Sequence, residues 1–197
     1  ISGLRFREIE AGSAEAPNMK LYNIDQRGGG GWAAFPDGGT RNSGIGYPWT
    51  DGDVYEGSYV YLTLMHEIGH LLGLHHPGNY NGAVDYVNDA VFWNDSTQYS
   101  VMSYLAENTT GGNFAGSAAT PMLFDILAIQ LEYGINWATR SGNTTYGFDS
   151  NSGVAAYGFD AEDNTSAFTI WDGAGIDTLN FAGFFGDTVM DLRQGGF

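Results

Sequence analysis

The 197-residue sequence predicts an α+β fold, with short strands toward both ends of the chain and two amphipathic helices between them. Apolar and polar residues alternate in short runs near the N-terminus and again after residue 136, as they do in half-buried strands. Two central segments carry apolar residues at helical spacing. The 30 glycines indicate many tight turns between these elements.

The first region, residues 1 to about 56, is predicted to contain strands separated by glycine turns. One strand is expected over residues 4–9 and a second over residues 19–24. A third segment, residues 44–49, contains Pro48, and proline is tolerated mainly at the edge of a sheet. We therefore expect this segment to be an edge strand.

A first helix is predicted over residues 57–74. Ser58 is a suitable N-cap, because its hydroxyl can accept a hydrogen bond from a free N–H group of the first turn. Gly73 and Pro77 mark the end, since glycine adopts the left-handed backbone of a helix terminus and proline cannot continue a helix. The predicted apolar face consists of Tyr61, Leu64, Met65, Ile68, Leu71 and Leu72.

The second helix follows a long polar segment, residues 77–119, which shows little regular pattern. A loop of that length in a compact domain is usually functional. Thr120 is the predicted N-cap of the second helix, with Pro121 at the first helical position and Gly134 at the end.

The remainder of the chain is predicted to be a second, all-β module, which gives two domains, residues 1–135 and residues 136–197. Aspartates and glycines separate its apolar runs, as is typical of strands joined by turns. The four predicted strands cover residues 144–148, 167–171, 178–181 and 188–192.

Composition excludes several classes of function. The 23 acidic residues outnumber the 7 lysines and arginines, which gives a formal net charge of −16. Such a chain repels phosphate backbones and anionic lipids, so we expect no binding to nucleic acid or to membranes. The absence of cysteine excludes disulfides, thiol catalysis and cysteine-ligated zinc. The surplus of carboxylates suits hard cations such as calcium.

The first predicted helix carries a long histidine motif, His66-Glu67-x-x-His70-x-x-Gly73-x-x-His76. His66 and His70 lie one turn apart on one face, where two imidazoles can bind one zinc ion. Gly73 can turn the chain back, so that His76 becomes the third ligand and one position stays open for water, as in catalytic zinc sites. Glu67 is then close enough to zinc-bound water to take its proton.

A chance His-Glu-x-x-His match in an unrelated helix is the alternative explanation of this motif. The long form, with Gly73 and His76 in place, favours the zinc site instead. His75 adjoins a predicted ligand but has the wrong phase. We interpret it as a residue that faces solvent or forms a hydrogen bond to the loop.

The histidine motif resembles that of the metzincins, and the segment from Ser100 to Tyr104 resembles their Met-turn. Together with the segment from His75 to Tyr80, it is similar to the serralysins rather than to the astacins, which rely on disulfides. The likeness runs from about residue 57 to the C-terminus. It implies that residues 1–135 form a metzincin (zincin-like) catalytic domain with a mixed sheet and an active-site helix.

The same resemblance implies roles for two residues of the Met-turn. Met102 would pack beneath the three histidines as an apolar floor. Tyr104 would be an additional zinc ligand and would stabilise the oxyanion of the transition state.

The C-terminal module contains one segment, from Asp172 to Asp177, that resembles a single copy of the serralysin calcium repeat. The resemblance implies that residues 136–197 begin a parallel β-roll and that this turn shares a calcium ion with a preceding loop. The implied calcium-binding residues are Arg140, Gly142 and Thr144 of the loop and Asp172, Ala174, Gly175 and Asp177 of the turn. Six other aspartates are interpreted as solvated loop charges: Asp85, Asp89, Asp95, Asp149, Asp160 and Asp163.

The sequence departs from the serralysin pattern in two places. It contains one calcium repeat where the family has several, and it shows no pattern for the N-terminal helix expected before the first strand. Both features are expected of a fragment, a shortened relative or a processed form.

These features together predict a secreted, monomeric zinc endopeptidase with one catalytic Zn²⁺ and one or more structural Ca²⁺. We expect its substrates to be polypeptides that bind in extended conformation to a sheet edge such as residues 44–49, and the resemblance allows a proteinaceous inhibitor as a further partner. The alternative is a calcium-stabilised binding or adhesion module with a vestigial zinc site. The presence of Glu67 argues against it, because a structural site needs no base.

Overall fold

The computed structural model describes residues 1–10, 12–23, 30–37, 41–45, 53–160, 167–187 and 190. Helices and strands are both present, so the predicted α+β class is confirmed. Strands β1 (Met19–Asn23), β2 (Gly31–Ala33) and β3 (Arg41–Ile45) form a mixed sheet in the order β1-β3-β2. β3 pairs in parallel with β1 and antiparallel with β2, so β2 lies at one edge of this sheet.

Helix α1 (Tyr59–Leu71) begins at the predicted N-cap, Ser58, and ends in the turn that contains Gly73. It packs against β2 and β3. The long segment that follows contains a four-residue helix α2 (Tyr86–Asp89) and a 3₁₀ turn over Glu107–Thr110. Helix α3 (Leu123–Tyr133) comes next.

The predicted start of α3 is wrong by two residues. Met122, not Thr120, is the N-cap, because the carboxylate of Asp125 accepts the Met122 N–H at 2.7 Å. The hydroxyl of Thr120 instead accepts the N–H of Thr169 at 2.9 Å, so it is not free to cap the helix. The predicted end at Gly134, with φ +76°, is confirmed.

The C-terminal region contains a second, two-stranded sheet. Strands β4 (Thr145–Gly147) and β5 (Thr178–Asn180) pair in parallel and confirm two of the four strands predicted here. The strand predicted over residues 167–171 is wrong, since only an isolated bridge joins Ala167 to Ala118. The strand predicted over residues 188–192 lies outside the described residues, apart from residue 190.

Two predictions for the N-terminal region also need correction. Residues 4–9 form no strand, because the only bridge in this segment of the described chain joins Ser2 to Ile135 and leaves residues 4–9 without a sheet to extend. Gly44 and Ile45, predicted at an edge, lie in β3, the middle strand of the described sheet. Residues 46–49 lie outside the described residues.

A small apolar core lies beneath α1. Its buried members, from the Met-turn segment and the approach to α3, are Val101, Met102, Ala118 and Met122. No helix in the described ranges has the length and apolar character needed to cross a bilayer.

Candidate metal centre

Helix α1 and the turn after it bring three histidines together. His66 and His70 lie on one face of the helix, and each is 7% exposed. The helix ends in a Schellman motif, in which the N–H groups of Gly73 and Leu74 donate to carbonyls of the last turn at 2.9 Å. Gly73 has φ +98°, and this left-handed turn returns the chain so that His76 faces the helix.

Each of the three imidazoles is oriented by a backbone carbonyl. The Nδ1 atom of His66 lies 2.8 Å from the Val101 carbonyl, and that of His70 lies 2.7 Å from the Leu74 carbonyl. The Nδ1 atom of His76 is 2.6 Å from the carbonyl of Tyr80. A carbonyl can only accept, so all three Nδ1 atoms carry the proton, and the Nε2 lone pairs are free to bind a metal.

The three Nε2 atoms converge on one point. The Nε2 atom of His76 lies 3.0 Å from that of His70 and 3.2 Å from that of His66. Nitrogens bound to one zinc ion at about 2.0–2.1 Å in tetrahedral geometry are roughly 3.3 Å apart. The three side chains therefore fit a zinc ion. Within the described ranges they are the one cluster of three or more histidine or acidic side chains with ligand atoms within 4.8 Å of one another.

The electrostatics of the three imidazoles suit a cation. Burial lowers the pKa of His66 to about 4 and also lowers the pKa values of His70 and His76. All three rings are therefore neutral near pH 7. Neutral nitrogens this close together repel one another less than imidazolium groups would, and they offer lone pairs that a cation can share.

Glu67 lies beside the three histidines and is 4% exposed. Its Oε2 atom is buried without a hydrogen-bond partner, and burial raises its pKa to about 7. Strand β2 fits closely against it, because a Cβ atom on Gly31 would lie 2.3 Å from Oε1. The carboxyl group therefore keeps one buried oxygen whose hydrogen-bonding capacity is not used, which is unusual for a buried polar atom.

Met102 fills the space beneath the helix between the first two histidines. It is 2% exposed, and its sulfur would lie 2.4 Å from a Cβ atom on Gly69. The glycine thus allows close approach of the methionine to the helix. The role of Met102 as an apolar floor beneath the three histidines, which the resemblance implies, stays a prediction.

Tyr104 lies at the open side of the histidine cluster and is 40% exposed. Its ring centroid is 4.4 Å from that of His76 and 5.5 Å from that of His66. The hydroxyl donates to Asn81 Oδ1 at 3.4 Å. The structure therefore places the ring against two of the histidines, and the role of the hydroxyl as a metal ligand stays a prediction.

A cavity of about 500 Å³ opens beside Glu67 and His66. One wall is the N-terminal half of α1, and the other is formed by residues 82–84 and the Met-turn segment. Its lining includes Tyr59, Leu62, Val84 and Val101, with Thr63 and Thr97 among the polar groups. Glu67 is the one acidic or basic residue among the cavity's described lining residues, apart from the histidine, so the space suits an uncharged side chain.

His75, the fourth histidine, does not join the cluster. Its ring is exposed and stacks on Phe35, with 4.2 Å between the centroids and 16° between the planes. This agrees with the prediction that His75 lies out of phase with the three ligands.

The two loops predicted to share calcium lie next to each other. Thr144 N–H donates to Asp177 Oδ1 at 2.9 Å, and the hydroxyl of Thr144 donates to the Gly142 carbonyl at 3.2 Å. Gly175 packs so closely on this loop that a Cβ atom would lie 2.4 Å from the Gly142 carbonyl oxygen. Arg140 adopts φ +49°, an unusual conformation for a residue other than glycine.

The carboxylate of Asp172 already has protein partners. It accepts hydrogen bonds from the hydroxyl of Tyr146 and from the N–H of Ala174. The structure thus brings together the residues predicted for calcium, and their role as ligands stays a prediction.

The interpretation of the aspartates as solvated loop charges was wrong in part. Asp95 was expected to be a solvated loop charge, but it is 0% exposed and accepts hydrogen bonds from Tyr80 and Ser103. No periodic pattern surrounds it in the sequence, so burial could not be inferred. Asp149 and Asp160 are exposed as predicted, and Asp163 lies outside the described residues. Asp85 and Asp89 are also exposed, but the prediction of loop charges is wrong for them, because Asp85 caps α2 and Asp89 lies within it.

The chain is similar to known proteins over most of its length. A family model described as the serralysin C terminal of peptidase M10 matches residues 135–197. The chain is 36% identical to "Metallopeptidase AprA" of Pseudomonas marginalis, over 100% of this chain and 44% of that protein. It is 38% identical to "Serralysin" of Proteus mirabilis, over 93% of this chain and 36% of that protein.

A third relative, "Metalloprotease AprA" of Pseudomonas entomophila, is 46% identical over 72% of this chain and 30% of that protein. The chain thus spans less than half the length of these relatives. The similarity includes both the histidine cluster and the C-terminal region.

Proposed function

The chain belongs to the serralysin family of metalloproteases, and from this premise we propose that it is a zinc-dependent endopeptidase that cleaves polypeptides. The observation that carries the proposal is the convergence of three Nε2 lone pairs beside a buried carboxylate oxygen that has no partner. A structural zinc site would have no need of such a carboxylate beside it.

The proposed zinc ligands are His66, His70 and His76, with Tyr104 as an additional ligand. The bound ion supplies Lewis-acid polarisation of the scissile carbonyl and makes water a stronger acid and nucleophile at neutral pH. The three carbonyls that accept the Nδ1 protons hold the rings in place and raise the basicity of the Nε2 atoms.

Glu67 is the proposed general base and then the general acid. Its free oxygen accepts a proton from the attacking water, and the same group later donates that proton to the leaving nitrogen of the cleaved peptide bond. Burial raises the pKa of this carboxyl to about 7 in the metal-free protein, which favours proton exchange near neutral pH. The close approach of Gly31 leaves the side chain of Glu67 little room to move.

Tyr104 is proposed to act on the oxyanion that forms at the scissile carbonyl. Among the residues that the structure describes, its hydroxyl has one long hydrogen bond, 3.4 Å to Asn81, so little is lost when it changes partner. A hydrogen bond to the oxyanion is stronger than one to the ground-state carbonyl, and it therefore lowers the barrier.

The substrate is proposed to bind as an extended strand along β2. β2 lies at the edge of the described sheet, and it borders both the cavity beside Glu67 and the cleft around His70 and His76. The backbone of the substrate would pair with the edge, and one uncharged side chain would enter the cavity of about 500 Å³. This replaces residues 44–49 as the proposed edge.

The C-terminal region, residues 136–197, is proposed to be the beginning of a calcium-binding β-roll. The parallel pairing of β4 with β5 and the close contact between the two loops support this proposal. The boundary with the catalytic domain is proposed at residue 135, and secretion is proposed on the family relationship alone.

Zinc content and casein cleavage test the proposed function together. We expect bound zinc in the purified protein, loss of cleavage with a zinc chelator and recovery when zinc is restored. His76→Ala should abolish zinc binding, whereas the adjacent His75→Ala should leave it unchanged, because the exposed ring of His75 stacks on Phe35 and is not one of the three converging imidazoles. Bound zinc without any cleavage by the wild-type protein would favour the binding or adhesion module instead.

A further inference from the structure

The deepest charged side chain near the metal centre is the carboxylate of Asp95, which is 0% exposed. Its Oδ1 atom accepts hydrogen bonds from the hydroxyls of Tyr80, at 2.8 Å, and Ser103, at 2.7 Å. Its Oδ2 atom is buried without a hydrogen-bond partner. A carboxylate in this position lowers the stability of the folded protein. Burial removes its hydration, and two hydrogen bonds compensate only partly for that loss.

The first partner of Asp95 is directly linked to His76. The Tyr80 carbonyl accepts the Nδ1 proton of His76 at 2.6 Å. The rings of Tyr80 and His76 stack with 5.5 Å between centroids and 11° between planes. Any movement of Tyr80 therefore shifts both the acceptor and the surface against which the imidazole packs.

The second partner, Ser103, directly precedes Tyr104. Its hydroxyl donates to Asp95 and also accepts the Leu105 N–H at 3.1 Å, so it fixes the backbone on both sides of Tyr104. The rings of Tyr80 and Tyr104 lie 5.5 Å apart. One carboxylate thus holds both segments that approach the cluster from outside the helix.

His66 and His70 need no such support, since α1 sets their spacing. His76 and Tyr104 lie on segments without regular secondary structure. We propose that Asp95 is a positioning residue of the metal centre, which holds His76 and Tyr104 at the correct distance from the helix through Tyr80 and Ser103. The inference rests on the proposed function, because it presupposes that the three histidines bind the metal.

The test compares Asp95→Asn and Tyr80→Phe with a control, Ser96→Ala. Asparagine keeps the shape of Asp95 but removes its charge, and phenylalanine removes only the hydroxyl that donates to Asp95. Ser96 is also 0% exposed, but its hydroxyl pairs with Thr110 and not with Asp95, Tyr80 or Ser103. Tyr80→Phe and Ser96→Ala each remove a buried hydroxyl that forms a hydrogen bond, so both should lower the melting temperature of the metal-free protein.

The readouts are zinc affinity, by competition with a chromophoric chelator, and the visible absorption spectrum of the Co²⁺-substituted protein. We expect Asp95→Asn to weaken zinc binding about 10- to 100-fold and to change the Co²⁺ spectrum, as loss of an outer-shell partner does. Tyr80→Phe should also weaken zinc binding and change the Co²⁺ spectrum. Ser96→Ala should keep the affinity within about twofold, since its site shares no partner with the ligands.

Zinc affinity of Asp95→Asn within about twofold of wild type, with an unchanged Co²⁺ spectrum, would overturn the proposal and leave Asp95 a structural residue. Should Asp95→Asn fail to fold, Tyr80→Phe decides, and unchanged affinity and spectrum in that variant would overturn the proposal equally. Zinc binding by the wild-type protein is measured first. Its absence would refute the proposed function itself, so the two failures are distinguishable.

Discussion

Substitution of Gly73 by alanine tests how the end of α1 builds the metal centre. Gly73 has φ +98°, and its N–H and that of Leu74 close the helix by hydrogen bonds of 2.9 Å. The Leu74 carbonyl in turn orients His70. Space is not limiting, because the added Cβ atom would lie 3.6 Å from Pro36, an ordinary contact. The cost therefore comes from the backbone conformation.

For a residue with a Cβ atom, the left-handed conformation destabilises the folded state by roughly 1–2 kcal/mol. Alanine also lowers the conformational entropy of the unfolded chain, which stabilises the folded state by about 0.4–1 kcal/mol. The net loss for Gly73→Ala is therefore about 1 kcal/mol, or roughly 2–4 °C in Tm for a chain of this size. Relief of the strain would move the Leu74 carbonyl and the chain leading to His76, so zinc affinity should fall about tenfold.

Gly111→Ala is the matched control. Gly111 has φ +95° and no atom within 4 Å of an added Cβ, and its N–H caps the 3₁₀ turn over Glu107–Thr110. The two variants should lose similar stability in thermal melts of the metal-free protein, whereas only Gly73→Ala should lose zinc affinity in a chelator competition. Equal zinc affinities in the two variants would refute the role assigned to this turn.

Two further predictions concern Tyr104 and the C-terminal loops. Tyr104→Phe should lower kcat for peptide cleavage at least tenfold with little change in KM or zinc content, because the hydroxyl acts mainly on the transition state; an unchanged kcat would remove Tyr104 from the mechanism. Calcium at a hundredfold excess over Kd should stabilise the wild type by about 2.7 kcal/mol relative to EGTA buffer. Asp177→Ala should abolish most of this calcium-dependent gain in Tm at constant zinc content, and a gain equal to that of wild type would exclude Asp177 as a ligand.

The arrangement of the three histidines was predictable because it is local in the sequence. His66 and His70 are separated by one helical turn, and Gly73 is a standard signal for a helix end, so both spacing and chain reversal follow from short-range rules. The same holds for the N-cap at Ser58, which the structure confirms.

The surroundings of the site were not predictable, because they depend on contacts between distant segments. Helix α3 begins later than predicted because the hydroxyl of Thr120 accepts a hydrogen bond from Thr169. Asp95 is buried because it forms hydrogen bonds with Tyr80 and Ser103. Strand order has the same cause. β3 lies in the middle of the described sheet only because β2 pairs with it on the side opposite β1, which no local pattern indicates.

The most direct test of the central claim is Glu67→Gln, assayed for zinc content and casein cleavage on the same preparation. Glutamine keeps the size of the side chain but cannot accept the proton, so we expect full zinc occupancy and a loss of about 10²–10⁴-fold in cleavage rate. His75→Ala, prepared in parallel, should retain both zinc and activity. Cleavage by Glu67→Gln at near wild-type rate, with zinc bound, would contradict the claim that Glu67 moves the proton.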